Sequence, residues 1–331
     1  MSLVVIVSGF FGDEGKGKIA SYLGIKQRPA ISVRTGSVNA GHTVGYEGRI
    51  YKLRLIPAAF LSPKTQLRIA SGANIDVNVL LSEKEKLGVG GRLKVDSMAS
   101  IIEEQHIQID RTDSHLKGMV ETTGTGVGPA IADRVLRRAR LAKDIPELSG
   151  MTCDVSSEVN SALDSGKSVH LEGSQGFGLS LYHGSYPFVT GRDTTTAAVL
   201  SEVGVAPSRV TDVILVLKSY VTRVGKGPLP GELNPEEAKK RGWAEEATVT
   251  GRPRRAAPFN YEMARRSAIV NGATSIALTK LDVLFPDSEH VRERKGLSGD
   301  ALGFIGEVED RVGIPVKYAG TGIDVDDIVE L

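Results

Sequence analysis

Cysteine is nearly missing from this chain: Cys153 is the single one in 331 residues. That excludes an intramolecular disulfide framework and a cysteine-built zinc site, and it suits a reducing cytoplasm. Charge of one sign is missing too. The 41 Lys and Arg residues face 40 Asp and Glu, so no global field favours nucleic acid or a membrane, and any electrostatic site must be local. No apolar stretch reaches membrane-spanning length, and the N-terminal one is too short for a signal peptide. Repeats, low-complexity tracts and long linkers are also absent, which leaves no domain boundary between residues 1 and 331. The expectation is an intracellular α/β protein with one large domain around a mostly parallel central sheet.

What is present centres on Val4–Tyr22. The apolar run Val4–Val7 reads as a buried strand, Gly9, Gly12, Gly15 and Gly17 as a turn, and helical spacing starts near Lys18. Strand, glycine loop and helix form the P-loop-like unit that holds phosphate on backbone N–H groups and a helix N-terminus. Lys16 and Lys18 add full charges. The spacing departs from GxxxxGK[ST]: five residues separate Gly9 from Gly15, and Gly17 stands where Ser or Thr would ligate magnesium. Asp13 and Glu14 sit inside the loop instead. A carboxylate beside phosphate is unfavourable unless it binds a metal or takes a proton, so this loop is expected to do chemistry as well as binding.

Downstream, Ile31–Arg34 reads as a strand running into a small-residue turn with Asn39 and His42, where an imidazole can deliver a proton. Charged helices are expected around Asp96–Gln108 and Asp133–Lys143. Between them, Glu121–Arg134 is either a capped helix start or a phosphate or ribose loop. Arg137, Arg138 and Arg140 then read as a solvated helix face, and no aromatic residue is interleaved for base stacking. The strand Ser168–Glu172 delivers a third glycine loop, Gly173–Ser180. The strand Val213–Ser219 ends in a surface loop, Thr222–Glu232, and Trp243 reads as packing. Thr248–Pro258 reads as a loop whose clustered arginines are costly to assemble without an anion. After the strand Ser275–Leu278, Lys280 and Asp282 suit guanine: the carboxylate accepts from N1–H and the 2-amino group, which adenine lacks.

Seven stretches in order now resemble one family, adenylosuccinate synthetase. They are GDEGKGK (Gly12–Lys18), NAGHTV (Asn39–Val44), TTGTGVGPA (Thr122–Ala130), EGSQG (Glu172–Gly176), YPFVT (Tyr186–Thr190), TGRPRR (Thr250–Arg255) and TKLD (Thr279–Asp282). The resemblance implies a GTP- and magnesium-dependent ligase of purine biosynthesis that joins L-aspartate to IMP through a 6-phosphoryl intermediate. It implies Asp13 as the base at purine N1, Lys16 at the transferring phosphate and His42 at the leaving group. Magnesium would be held by Asp13 and the Gly41 carbonyl. The GTP contacts implied are Gly12, Glu14, Gly15, Lys16, Gly17, Lys18, Gly41, His42, Thr43, Lys280, Asp282, Gly320 and Gly322. For IMP they are Asp13, Asn39, Thr123, Gln175, Thr190, Arg252 and, from a neighbouring subunit of a homodimer, Arg137. Thr250, Arg252 and Arg254 match a loop closing on aspartate.

The chain is shorter than the bacterial and eukaryotic members the resemblance leads one to expect. It is like the compact archaeal form, or the viral enzymes acting on dGMP. Thr125 and Pro253 stand where basic residues are common. Two other functions compete: a dGMP-specific synthetase, and a GTP-binding switch, which needs neither the Asn39/His42 turn nor the arginine loop.

Overall fold

The structure, a computed structural model, describes residues 2–247 and 251–331. Its first strand, Ser2–Ser8, sends alternate side chains to opposite faces. Leu3, Val5 and Val7 enter one apolar cluster, Val4 and Ile6 the other. A strand apolar on both faces must lie between two covered faces. Helices Val155–Asp164, Thr196–Val203, Tyr261–Asn271 and Gly299–Val312 cover the first face. Helices Lys16–Gln27, Val77–Leu87 and Val127–Val135 cover the second.

The central sheet has ten strands. Their spatial order is Ile328–Glu330, Val316–Gly320, Ser275–Thr279, Asp212–Lys218, Ser2–Ser8, Ser168–Glu172, Ile31–Arg34, Gln66–Ile69, Leu93–Asp96 and Thr152–Cys153. Every neighbouring pair is parallel except the edge pair formed by Val316–Gly320 and Ile328–Glu330. This is the α/β, mostly parallel sheet expected from the sequence. The first strand lies between Ser168–Glu172 and Asp212–Lys218, where the connectivity turns from one side of the sheet to the other. In open parallel sheets such a point leaves a crevice beyond the carboxyl ends of the strands.

Four local expectations need correction. Residues 133–143 do not form one helix. The helix Val127–Val135 ends there, and Arg137 follows in a left-handed turn (φ 64°). The buried Ala142, Ile145 and Leu148 recur every three residues, which two 3₁₀ turns satisfy, with Pro146 opening the second. Residues 96–108 begin as the end of a strand, and the helix starts only at Glu104. The expected surface loop at Thr222 is a strand, Val221–Val224, paired antiparallel with Arg254–Ala257, so the last two arginines of TGRPRR are on a strand. Asp282 lies on a one-turn helix, Leu281–Leu284, after Lys280 in a left-handed conformation. Trp243 does pack, stacking on Tyr220 at 4.7 Å.

Cys153 lies half-buried on the edge strand Thr152–Cys153, and burial with help from Glu158 pushes its thiol up to about 12. Only the thiolate reacts. At pH 7.5 its alkylation by iodoacetamide, followed by intact-mass spectrometry, should therefore run roughly a thousandfold slower than that of an unperturbed thiol. Modification at the free-thiol rate would show an exposed sulfur.

Candidate active site

Six loops leave the carboxyl ends of the parallel strands and meet on one edge. They follow Ser8, Arg34, Glu172, Lys218, Thr279 and Gly320. Beyond these ends lies a cavity of about 350 Å³, lined by Asp13, Asn39, Gly41, His42, Thr123, Gln175, Thr190 and Arg252 among others. Eight residues singled out from sequence, spread over more than 200 positions, thus share one space.

The loop after Ser8 has its shape fixed from within. Glu14 is buried and folds back, accepting the amides of Phe11 (2.8 Å) and Gly12 (3.0 Å). Gly12 has φ 98°, and a Cβ there would lie 2.9 Å from the Gln175 backbone. Glycine is required for that approach. Gln175 itself adopts φ 60°, a cost that a non-glycine residue bears only when its surroundings hold it. Its carbonyl accepts from Lys16, whose buried amine also donates to Ser8 Oγ at 2.7 Å. Burial pulls the Lys16 amine down to about 8.

Asp13 does not face a bare cradle. Its carboxylate pairs with Arg254 at 3.0 Å. Burial raises its pKa, against the pull of Arg254 and Lys218. Arg254 is shared, because its other nitrogen donates to Glu245 at 2.5 Å. Glu245 also accepts from Lys218 (2.7 Å) and the Tyr220 hydroxyl (2.5 Å).

His42 opens the strand His42–Tyr46 and is buried. Its ring reaches the helix start because Gly17 has no Cβ, which would lie 2.7 Å from that of His42. Nδ1 lies against Glu172 and 2.6 Å from Arg34 Nη1, while Nε2 is buried without a partner. Burial and the Arg34 charge lower the imidazole to about 4. For Glu172, burial works upward, but His42 and Arg34 outweigh it and hold the carboxyl below its ordinary range.

The other implied residues form a second group beside the helix start. Thr279 Oγ1 donates to the Glu14 carbonyl (2.8 Å), fastening the TKLD turn to the glycine loop next to Gly15. Lys18 is spent on the carbonyls of Gly322 and Asp327, both at 2.7 Å, so it anchors the loop that follows Gly320. Thr43 is on the strand that meets that loop, through Gly45 and Val325. Asp282 keeps one buried carboxylate oxygen, Oδ1, without a partner. Arg252 donates to the Glu121 carbonyl at 3.2 Å. Arg137 is exposed and does not line the cavity. Thr250 lies outside the described residues.

The adenylosuccinate synthetase family model matches residues 5–147 and 139–287. The chain is 48% identical over its whole length to an adenylosuccinate synthetase of Archaeoglobus fulgidus, covering 98% of that protein. It is also 47% identical to that of Methanocaldococcus jannaschii, covering 97%. The chain belongs to the adenylosuccinate synthetase family. Its fold agrees with the solved adenylosuccinate synthetase of Plasmodium falciparum, at TM-score 0.94 and 24% identity with both chains fully covered. The succinoaminodeoxyadenylate synthetase of cyanophage S-2L, solved with dGMP and dATP, matches at TM-score 0.83 and 27% identity, over 99% of this chain and 95% of that one.

Sequence reasoning assigned no role to Arg34, Glu172, Lys218 or Glu245. Glu172 had a signal, an acid closing an otherwise buried strand. Glu245 had none, since its partners lie 9, 25 and 27 residues away. Burial alone would raise the Glu245 carboxyl, but Lys218, Tyr220 and Arg254 outweigh it and hold it at about 2. Its native value lies below the ordinary 4.5. Its stabilisation is therefore complete above pH 4.5 and is lost as pH falls through 2. In acid titrations of unfolding free energy, Glu245→Gln should flatten the slope in that window, by up to about 1.4 kcal/mol per pH unit. An unchanged slope would mean that these cations do not hold the carboxylate.

Proposed function

We propose that this site joins L-aspartate to C6 of IMP at the expense of GTP, giving adenylosuccinate, GDP and phosphate. The observation that carries the reading is that Asp13 and His42 line one cavity with Asn39, Thr123, Gln175, Thr190 and Arg252. Asp13 takes the N1 proton of IMP, and O6 then attacks the γ-phosphorus of GTP as the bond to GDP breaks. The aspartate amine next displaces phosphate from C6. A carboxyl whose pKa is raised by burial is a better proton acceptor than an exposed one. His42 Nε2 meets the oxygen that leaves, and the loop amides with Lys16 stabilise charge spreading over the transferring group.

Asp13 and the Gly41 carbonyl offer hard oxygen donors to the same cavity, which fits Mg²⁺, an ion that takes one or two carboxylates and fills its shell with water and phosphate. When bound, it offsets charge on the nucleotide phosphates. Gly12, Gly15 and Gly17, with Glu14 shaping the turn, hold the phosphate side of GTP. Lys280, Asp282 and the loop of Gly320 and Gly322, anchored by Lys18, hold the base beside Thr43. Arg252, Arg254 and Thr250 receive the aspartate carboxylates. Residues 1–331 act in this reading as one domain in a cytoplasmic setting.

Arg137, which stays outside its own cavity, serves the IMP phosphate of a second copy. Supporting this, Val135 and Leu136 beside it are 70% and 59% exposed, an apolar surface that a homodimer would cover. IMP is favoured over dGMP because the full-length relatives at 43–48% identity are adenylosuccinate synthetases, while the phage enzyme stands at 27%.

With GTP, Mg²⁺ and aspartate supplied, phosphate release should require an acceptor, and IMP should exceed dGMP in kcat/KM. Faster turnover of dGMP would reassign the acceptor, and GTP hydrolysis without acceptor or aspartate would point to a switch. The orphaned Asp282 oxygen gives a separate test. Asp282→Asn replaces an acceptor by a donor, so the KM for GTP should rise roughly 10- to 100-fold while xanthosine triphosphate becomes the better donor. Unchanged GTP kinetics would remove Asp282 from the base site.

A further inference from the structure

The reaction gives Arg34 and Glu172 no task, yet they form a buried cluster with His42, which lines the cavity. Arg34 is 1% exposed and Glu172 fully buried. Three contacts define the cluster: Arg34 Nη1 lies 2.8 Å from Glu172 Oε1 and 2.6 Å from His42 Nδ1, and Nδ1 is closer still to Oε1. Glu172 Oε2 accepts the Ala58 amide at 2.7 Å, and Arg34 Nη2 donates to the Ala40 carbonyl at 3.2 Å.

These contacts fix where the ring proton sits. Nδ1 cannot both accept from Arg34 and donate to Glu172. An ionised carboxylate only accepts and a guanidinium only donates. With the proton on Nδ1, both N–H groups converge on the anionic Oε1, and the 2.6 Å approach of Nη1 to Nδ1 is then a contact between two donors to one acceptor and not a hydrogen bond between them. The other tautomer would set the Nδ1 lone pair against the carboxylate in a dry site. Glu172 in turn is held still by the Ala58 amide, and Arg34 ties the same cluster to the loop before His42. Nε2, buried and without a partner, is then the nitrogen left for a ligand, on a ring that lines the cavity.

We propose that Glu172, braced by Arg34, is a positioning residue for His42: it holds a proton on Nδ1 throughout, so that Nε2 is the nitrogen that carries hydrogen to the leaving oxygen. The proposal rests on the reading that His42 acts at the leaving oxygen. The same logic orients histidines whose second nitrogen works on a ligand: a carboxylate sets tautomer and ring angle from behind.

The tautomer can be read without any variant of Glu172. In protein labelled with ¹⁵N-histidine, long-range ¹H–¹⁵N correlations, assigned by their loss in His42→Asn, should show a protonated Nδ1. An Nδ1 without a proton overturns the proposal. Kinetics then supply the function. Glu172→Gln keeps the shape but can turn its amide N–H toward Nδ1, so kcat should fall about 10- to 100-fold while the KM for IMP, GTP and aspartate stays within about threefold. In a His42→Asn background the same substitution should cost less than about threefold more. Additive losses, or KM values that rise as kcat falls, would make Glu172 merely structural and overturn the proposal while leaving the role of His42 intact. If His42→Asn alone leaves kcat unchanged, the reading of His42 fails, and with it this proposal.

Discussion

Parallel strands all point the same way, and that single constraint builds the site. Six loops come to one edge because six strands end there, in a sheet whose first strand is apolar on both faces. The residues that meet at the cavity come from loops as far apart as Gly12 and Arg252. The helices pack on both faces and leave that edge open, so the loops there are shaped by local devices. Glu14 on its own amides, Gln175 in a left-handed conformation and the Thr279 hydroxyl on the glycine loop are three such devices.

Charge inside this edge is paired almost residue by residue. Asp13 has Arg254, Glu245 has Lys218 and Arg254, and Glu172 has Arg34 and His42. The formal net charge of +1 hides this local matching. Each pair is costly to bury, and removing one member leaves a stranded charge at a cost of about 3–5 kcal/mol. Pairs of this kind hold geometry more than they add stability. Near the reacting centre, geometry is what the chemistry needs.

The sheet strands could be read from the sequence because buried parallel strands are short apolar runs. Ser168–Glu172 carried that mark to the residue, and Val4–Val7 and Val213–Ser219 did so within a residue or two. The glycine loops could be read for a different reason, since close backbone approach leaves few residue types to choose from. Polar edge strands such as Arg254–Ala257 were illegible, because a two-stranded ribbon with arginines on it has the composition of a loop. Lys18 was read as a phosphate ligand from its place in GDEGKGK. Its partners lie 304 and 309 residues away, a distance no local pattern encodes.

The shared guanidinium of Arg254 shows why this pairing suits a ligase with several substrates. In the free protein it spans Asp13 and Glu245, so the acid at residue 13 is neither bare nor permanently neutralised. Glu245 holds Arg254 from the far side, together with the buried Lys218. The two terminal nitrogens of Arg254 are thus held by different carboxylates, so an anion that displaced Asp13 would leave the contact to Glu245 standing, with no movement of the sheet that carries both.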